Sequence, residues 1–241
     1  MTTQLPQSQP RKQPLLISFS GLDGAGKSTQ IEHVRALLSA AGYRSELLAF
    51  WDNVVVLCRY REGFVQKVYK SEAGIGAPGK PVNRRDKNVR KWYLNLIRHG
   101  LYLLDAVHLV KVVNLARRSG ADVIIVDRYI YDELANLPLG NPLSRAFIKL
   151  IRSFVPRPDL AYLLDADPDA AYHRKPEYPV EFMQESRRAY FRLAELIGGL
   201  TVIPPLPLEA AKDAVALALR WVLEANGQPP VPAHMDTAPA A

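Results

Sequence analysis

Short apolar runs alternate with stretches in which apolar residues recur every three or four positions, and this rhythm continues along most of the chain. Leu15-Leu16-Ile17-Ser18-Phe19 has the length and composition of a buried strand. From Lys27 to Ala41, the residues Ile31, Val34, Leu37 and Leu38 fall at helical spacing, and Gly42 supplies a stop. Glu46 to Phe50 predicts a second strand, and a long, mostly apolar helix follows from about Val89 to Arg118, closed by Gly120. Asp122 to Asp127 is the clearest strand pattern, Leu160 to Leu164 and Leu200 to Ile203 give two more, and helices are predicted from about Pro142, Pro168, Glu181 and Leu208. Strand followed by helix, repeated in this way, argues an α/β fold with a mostly parallel sheet covered on both faces. Residues 63–81 carry Gly74, Gly76, Pro78 and Gly79 and are too long for an idle connection, so a mobile or functional segment is expected there.

Composition narrows the class. The chain has 241 residues, enough for one sizeable domain, and charged residues at 23% exclude wholesale disorder. Residues 1–13 and 227–241 are rich in Pro, Ala, Gln and Thr and read as disordered tails around a domain spanning 14–226. The single cysteine, Cys58, cannot form an internal bridge and fits a reducing compartment. No apolar signal region opens the chain and no run of about 18 apolar residues exists, so a cytoplasmic protein with no membrane partner is expected. The net charge of +7 favours polyanionic partners. Part of that surplus lies in Lys80, Arg84, Arg85, Lys87, Arg90 and Lys91, which read either as a solvated loop and helix start or as a phosphate-facing patch.

The chemistry begins directly after the first strand. Gly21-Leu22-Asp23-Gly24-Ala25-Gly26-Lys27-Ser28 matches G-x-x-x-x-G-K-[ST] at every fixed position. The glycines let successive backbone N–H groups turn toward phosphate oxygens, and the following helix adds its positive end. Lys27 can reach the β- and γ-phosphates, and the Ser28 hydroxyl can ligate Mg²⁺. Gly21, Asp23, Gly24, Ala25, Gly26, Lys27, Ser28 and Thr29 are therefore the candidate residues for binding a nucleoside triphosphate. The motif serves kinases, GTPases and motors alike, but an N-K-x-D base-reading signature is missing and the chain is short for a two-lobed motor.

A second group closes the clearest strand: Asp127-Arg128-Tyr129. Ligands in open α/β sheets sit at carboxyl ends of strands, so Asp127 is placed to assist magnesium and Arg128 to clamp a second phosphate; an ion pair closing the strand is the plainer alternative. A third group follows the next strand, Asp165-Ala166-Asp167-Pro168 with His173-Arg174-Lys175 beyond it. Arg174, and behind it Arg187 and Arg188, could neutralise charge on a transferring group, or be exposed helix charges. Asp105 and His108 sit three apart on the long helix and share a face, either as a satisfied buried pair or as lining of an acceptor pocket.

Taken together, these segments resemble the thymidylate kinases of the P-loop nucleoside monophosphate kinase group. The resemblance rests on Phe19 to Gln30, on Asp127-Arg128-Tyr129, and on Tyr162 to Pro168 with Arg174 beyond, in the family's order and at about its spacing. It implies a P-loop three-layer sandwich with a five-stranded parallel sheet and a lid, ATP and Mg²⁺ as cofactors, and a nucleoside monophosphate acceptor with dTMP the leading candidate. By position it implies that Asp23 hydrogen-bonds the acceptor's sugar, Arg128 binds the acceptor phosphate, Asp127 assists magnesium and Arg174 is the lid arginine. A homodimer is left open, and nucleic acid is not expected as a partner.

This chain also departs from the family. Phe50-Trp51-Asp52-Asn53 stands where the family has Arg-Glu-Pro-Gly, and Asp105-Ala106-Val107-His108 lacks the family's base-contacting arginine. Asp132 and Asn136-Leu137 replace the family's Ser and Tyr-Gln pair. Every departure falls on acceptor recognition. A kinase of a different phosphorylated or sugar-like acceptor, and a regulatory protein that keeps only the nucleotide cradle, are therefore the alternatives. Trp51 and Tyr129 read as core aromatics or as surfaces for stacking a base.

Overall fold

The computed structural model describes residues 13–56, 92–176 and 178–232. The connection at 63–81, the basic segment at 80–91 and Cys58 lie outside the described residues. Five strands form one sheet: β1 (Leu15–Gly21), β2 (Ser45–Ala49), β3 (Val123–Asp127), β4 (Leu160–Leu164) and β5 (Leu200–Ile203). Their order is β2-β3-β1-β4-β5 and every pairing is parallel, as expected from the strand–helix rhythm. Among the described residues the α-helices are α1 (Lys27–Ala40), α2 (Trp92–Ala116), α3 (Ile130–Leu134), α4 (Pro142–Phe154), α5 (Pro168–Arg174), α6 (Val180–Ile197) and α7 (Leu208–Ala225). No helix among the described residues is long and apolar enough to cross a membrane.

Because successive strand residues point to opposite faces, each strand feeds two cores. Leu16, Ile124, Val126 and Ala161 pack with buried residues of α2, α3, α4 and α6 on one face. Leu15, Ile17, Phe19, Val123, Ile125, Leu160 and Tyr162 pack with α1 and α7 on the other. Phe19 stacks on Tyr162 at 4.7 Å between centroids, and the Tyr162 hydroxyl donates to the Val215 carbonyl at 2.6 Å. The central position of β1 puts the point where strand order reverses between β3 and β4, so the crevice at the carboxyl ends of these three strands is the ligand-binding position of such sheets.

Three elements differ from the sequence expectation. The second strand stops at Ala49, and Phe50–Val54 forms a single π-helical turn whose first residue is buried. The one-turn helix α3 has too few residues to show a period of its own. Residues 227–232, assigned by composition to a tail, lie on the fold: Val231 is buried in the second core, and the Tyr43 hydroxyl donates to the Pro229 carbonyl at 2.6 Å. An apolar Val among prolines buries itself where a matching surface exists, and composition averages that out.

Candidate active site

The turn from β1 to α1 is built by glycine. Gly24 and Gly26 have φ of +81° and +87°, a left-handed conformation that other residues adopt at a cost. A Cβ on Gly24 would stand 2.8 Å from the Ala171 carbonyl oxygen, so the backbone of α5 lies directly on the turn. A Cβ on Gly26 would meet nothing, because that side of the turn faces open space. α1 starts with no side-chain cap and no acidic residue in its first turn, which leaves its N-terminal N–H groups directed at that space. Ser28 and Thr29 are exposed on this first turn.

Lys27 is buried, and its ammonium donates to the carbonyls of Gly21 at 2.9 Å and Leu22 at 2.6 Å. Burial lowers its pKa to about 8, helped by the Arg128 charge, while the carboxylates of Asp23, Asp132 and Asp127 pull the other way. The lysine is thus a strained cation that would gain from a phosphate anion.

Arg128 stands across from it. It follows the last residue of β3, its N–H donates to the Phe19 carbonyl at 2.9 Å, and its φ of +66° is left-handed, unusual for a long side chain. The guanidinium pairs with Asp23 of the turn and lies 3.4 Å from Asp132. Burial works against its charge, yet Asp132 and Asp23 outweigh that and raise its pKa. Asp132 is buried and heavily satisfied: it accepts from the Ser20 hydroxyl at 2.6 Å, the Tyr190 hydroxyl at 2.7 Å and the Tyr129 N–H at 3.1 Å. Burial and the Asp132 charge push the Tyr190 hydroxyl pKa well up, so it remains a donor.

The other sequence candidates are placed as follows. Asp127 is half-buried at the end of β3 and belongs to the electrostatic surroundings of Lys27. Arg174 is exposed in the last turn of α5, the helix that touches Gly24. Arg187 makes a two-pronged pair with Asp165, both bonds at 2.6 Å, which ties α6 to the end of β4. Asp105 accepts from the Val56 N–H at 2.9 Å, and the His108 Nδ1 donates to the Val54 carbonyl at 2.7 Å. These two therefore clasp the end of the π-turn and the backbone just after it. Trp51, on that turn, is 43% exposed, and Tyr129 is fully buried.

Comparison with known proteins decides the family. The chain is 31% identical over 217 residues to a probable thymidylate kinase of Pyrococcus horikoshii, covering 86% of this chain and 97% of that one. It is 30% identical over 179 residues to a thymidylate kinase of Bifidobacterium longum, covering 66% of this chain and 70% of the relative. The chain belongs to the thymidylate kinase family. A probable thymidylate kinase of Methanosphaera stadtmanae is 24% identical over 199 residues, with 81% of this chain and 91% of the relative covered. No protein-family model matches the chain.

Within a thymidylate kinase frame, the sequence reading missed the importance of Ser20, Asp132 and Tyr190. Asp132 lies five residues after Asp127, and an acid at that position was a departure from the family, which was the available signal. Ser20 and Tyr190 are 112 and 58 residues distant from it and gave none.

Proposed function

We infer that this chain is an ATP-dependent nucleoside monophosphate kinase that moves the γ-phosphoryl of ATP onto the 5′-phosphate of its acceptor, with dTMP the leading candidate and dTDP and ADP the products. The observation that carries this reading is the meeting of two cations at the carboxyl ends of β1 and β3. Lys27 belongs to the glycine turn, and Arg128 comes from the adjacent strand and pairs with Asp23 of that turn. A transfer between two phosphates needs one positive subsite for the donor and another for the acceptor, whereas hydrolysis needs only the first. Thymidylate kinase relatives that cover most of the chain support the same reaction.

In this reading the amides of Gly24 to Thr29 cradle the triphosphate, and Lys27 exchanges its two carbonyl partners for β- and γ-oxygens. Arg128 receives the acceptor phosphate and Asp23 a sugar hydroxyl, so the pair they form with each other opens as the acceptor enters. Arg174, at the end of the helix lying on Gly24, adds positive charge as α5 closes over the phosphates. Trp51 offers a ring face on which a base can stack. An acceptor oxygen then attacks the γ-phosphorus in line, the bond to the β–γ bridging oxygen breaks, and ADP carries away that electron pair. Positioning and charge neutralisation supply the rate.

The residues also fit magnesium. The Ser28 hydroxyl and Asp127 carboxylate are hard oxygen donors, and among the described residues no group of three His, Cys, Asp or Glu forms a cage. Such a sparse donor set suits Mg²⁺, which keeps several waters and is otherwise held by substrate phosphates. When bound, the ion neutralises charge on the β- and γ-oxygens.

The test is ADP production from ATP and Mg²⁺ against a panel of nucleoside monophosphates, sugars and sugar phosphates. Turnover that requires dTMP supports the proposal, and a stronger response to another monophosphate reassigns the acceptor. ATP binding without turnover on any member of the panel would favour the accessory-protein reading instead.

A further inference from the structure

Asp132 closes the capping box of α3 through the Tyr129 N–H, and its carboxylate takes more partners than a cap requires. Its Oδ2 accepts from the Ser20 hydroxyl on β1 and the Tyr129 N–H, and its Oδ1 accepts from the Tyr190 hydroxyl on α6. Three donors from three elements fix this anion in place, and its side chain is only 7% exposed. The same Oδ1 faces the Arg128 guanidinium at 3.4 Å, on Nη1, whereas Asp23 holds the other terminal nitrogen, Nη2.

The two carboxylates differ in how firmly they are held. Asp23 sits on the glycine turn and is partly exposed, so it can turn to a ligand; Asp132 is locked between a strand and a helix. Arg128 itself is in a left-handed backbone conformation, which residues with a Cβ rarely adopt. A fixed negative charge beside Nη1 holds the guanidinium on the side opposite its contact with Asp23.

We propose that Asp132, clamped by Ser20 and Tyr190, is a positioning residue that keeps hold of one side of the Arg128 guanidinium while an incoming acceptor phosphate displaces Asp23 from the other. This rests on the assignment of Arg128 to the acceptor phosphate. It adds a part that the glycine turn and the Asp127-Arg128-Tyr129 motif do not contain. It also gives a chemical sense to an acid at position 132: the anchor for the acceptor arginine is a charge, and its clamp reaches across to α6.

The experiment compares Asp132→Asn, Tyr190→Phe and the double variant with the wild-type chain, using dTMP, ATP and Mg²⁺. Asn keeps the shape and a hydrogen-bond acceptor but removes the charge. Asp132→Asn should raise the KM for dTMP about tenfold and the KM for ATP by much less, and Tyr190→Phe should raise the dTMP value about threefold. The double variant should be no worse than Asp132→Asn alone, because the tyrosine acts through the aspartate. A dTMP KM unchanged in Asp132→Asn, equal changes in both KM values, or full additivity would overturn the proposal.

A second readout does not need turnover. The Arg128 side-chain N–H resonances, identified by their loss in Arg128→Ala, should be separate and sharp in the wild type and in Asp23→Asn, and averaged in Asp132→Asn. Averaging in Asp23→Asn with none in Asp132→Asn would overturn the anchor. If no dTMP-dependent turnover exists, the kinase reading fails on that ground, and the resonances still decide whether Asp132 holds Arg128.

Discussion

Replacing Lys27 with Met should change how the stability of the protein responds to pH, because this lysine is folded at a cost. Its pKa falls from 10.5 to about 8, chiefly through burial, so the folded state binds its proton less tightly than the unfolded chain does. The sign follows directly. Below pH 8 both states are protonated and the folded state bears the full penalty. Between pH 8 and 10.5 the folded lysine is neutral while the unfolded one is still charged, so unfolding takes up a proton and stability rises with pH. With those two pKa values, Lys27 contributes a gain of about 2.5 kcal/mol between pH 7 and pH 10. At about 2–4 °C per kcal/mol for a domain of this size, that is about 5–10 °C in Tm.

Lys27→Met also strips the Gly21 and Leu22 carbonyls of a donor, but that loss does not vary with pH. The difference between the two stability curves therefore isolates the lysine from every other titrating group. Urea denaturation at half-unit steps from pH 7 to 10 would supply both curves. Wild type should gain on Lys27→Met by the stated amount, with the steepest relative rise above pH 8. Parallel curves throughout that range would refute the claim that the cradle stores an unfavourable charge for a triphosphate to relieve. ATP should compress the effect, since phosphate oxygens stabilise the charged form.

Three further outcomes follow from the same geometry. Gly24→Ala forces a left-handed φ on a residue with a Cβ and drives that atom to 2.8 Å from the Ala171 carbonyl, so α5 must shift; calorimetry should show ATP affinity reduced at least tenfold, and unchanged affinity would mean that α5 does not lie on the turn. Tyr162→Phe removes a buried hydroxyl bonded to Val215 and should cost about 1 kcal/mol in urea denaturation with kcat and both KM values unchanged. Asp105→Ala releases the Val56 N–H and with it the segment after the π-turn; the KM for dTMP should rise several-fold while that for ATP holds, and a matching rise for ATP would remove this segment from the acceptor side.

What the sequence revealed, and what it hid, follows from the range of the interactions. The glycine turn was legible because its constraints are local: φ requirements at Gly24 and Gly26, a lysine after them, and helical spacing from Ile31 onward. The parallel sheet was legible because fully buried strands such as Val123–Asp127 are nearly all apolar. Asp105 and His108 were correctly seen to share a helix face, but a side chain that bonds backbone leaves no mark on its partner, so their grip on residues 54 and 56 could not be read. Ser20 and Tyr190 looked ordinary in their own strand and helix, and only the fold brings them to Asp132. Composition misjudged residues 227–232 because one valine decides their fate.

The core on the α1 face has a consequence for synthesis. It joins β1 and α1 to α7 and Val231, which are made well after them, whereas the opposite face is assembled from residues up to Leu200. A nascent chain can complete one side of the sheet while the other still lacks its outer layer. The helix that carries Lys27 and Ser28 is then braced only once α7 has left the ribosome. A stalled or truncated product ending before Leu208 would therefore carry the whole glycine turn without α7 packed beside α1.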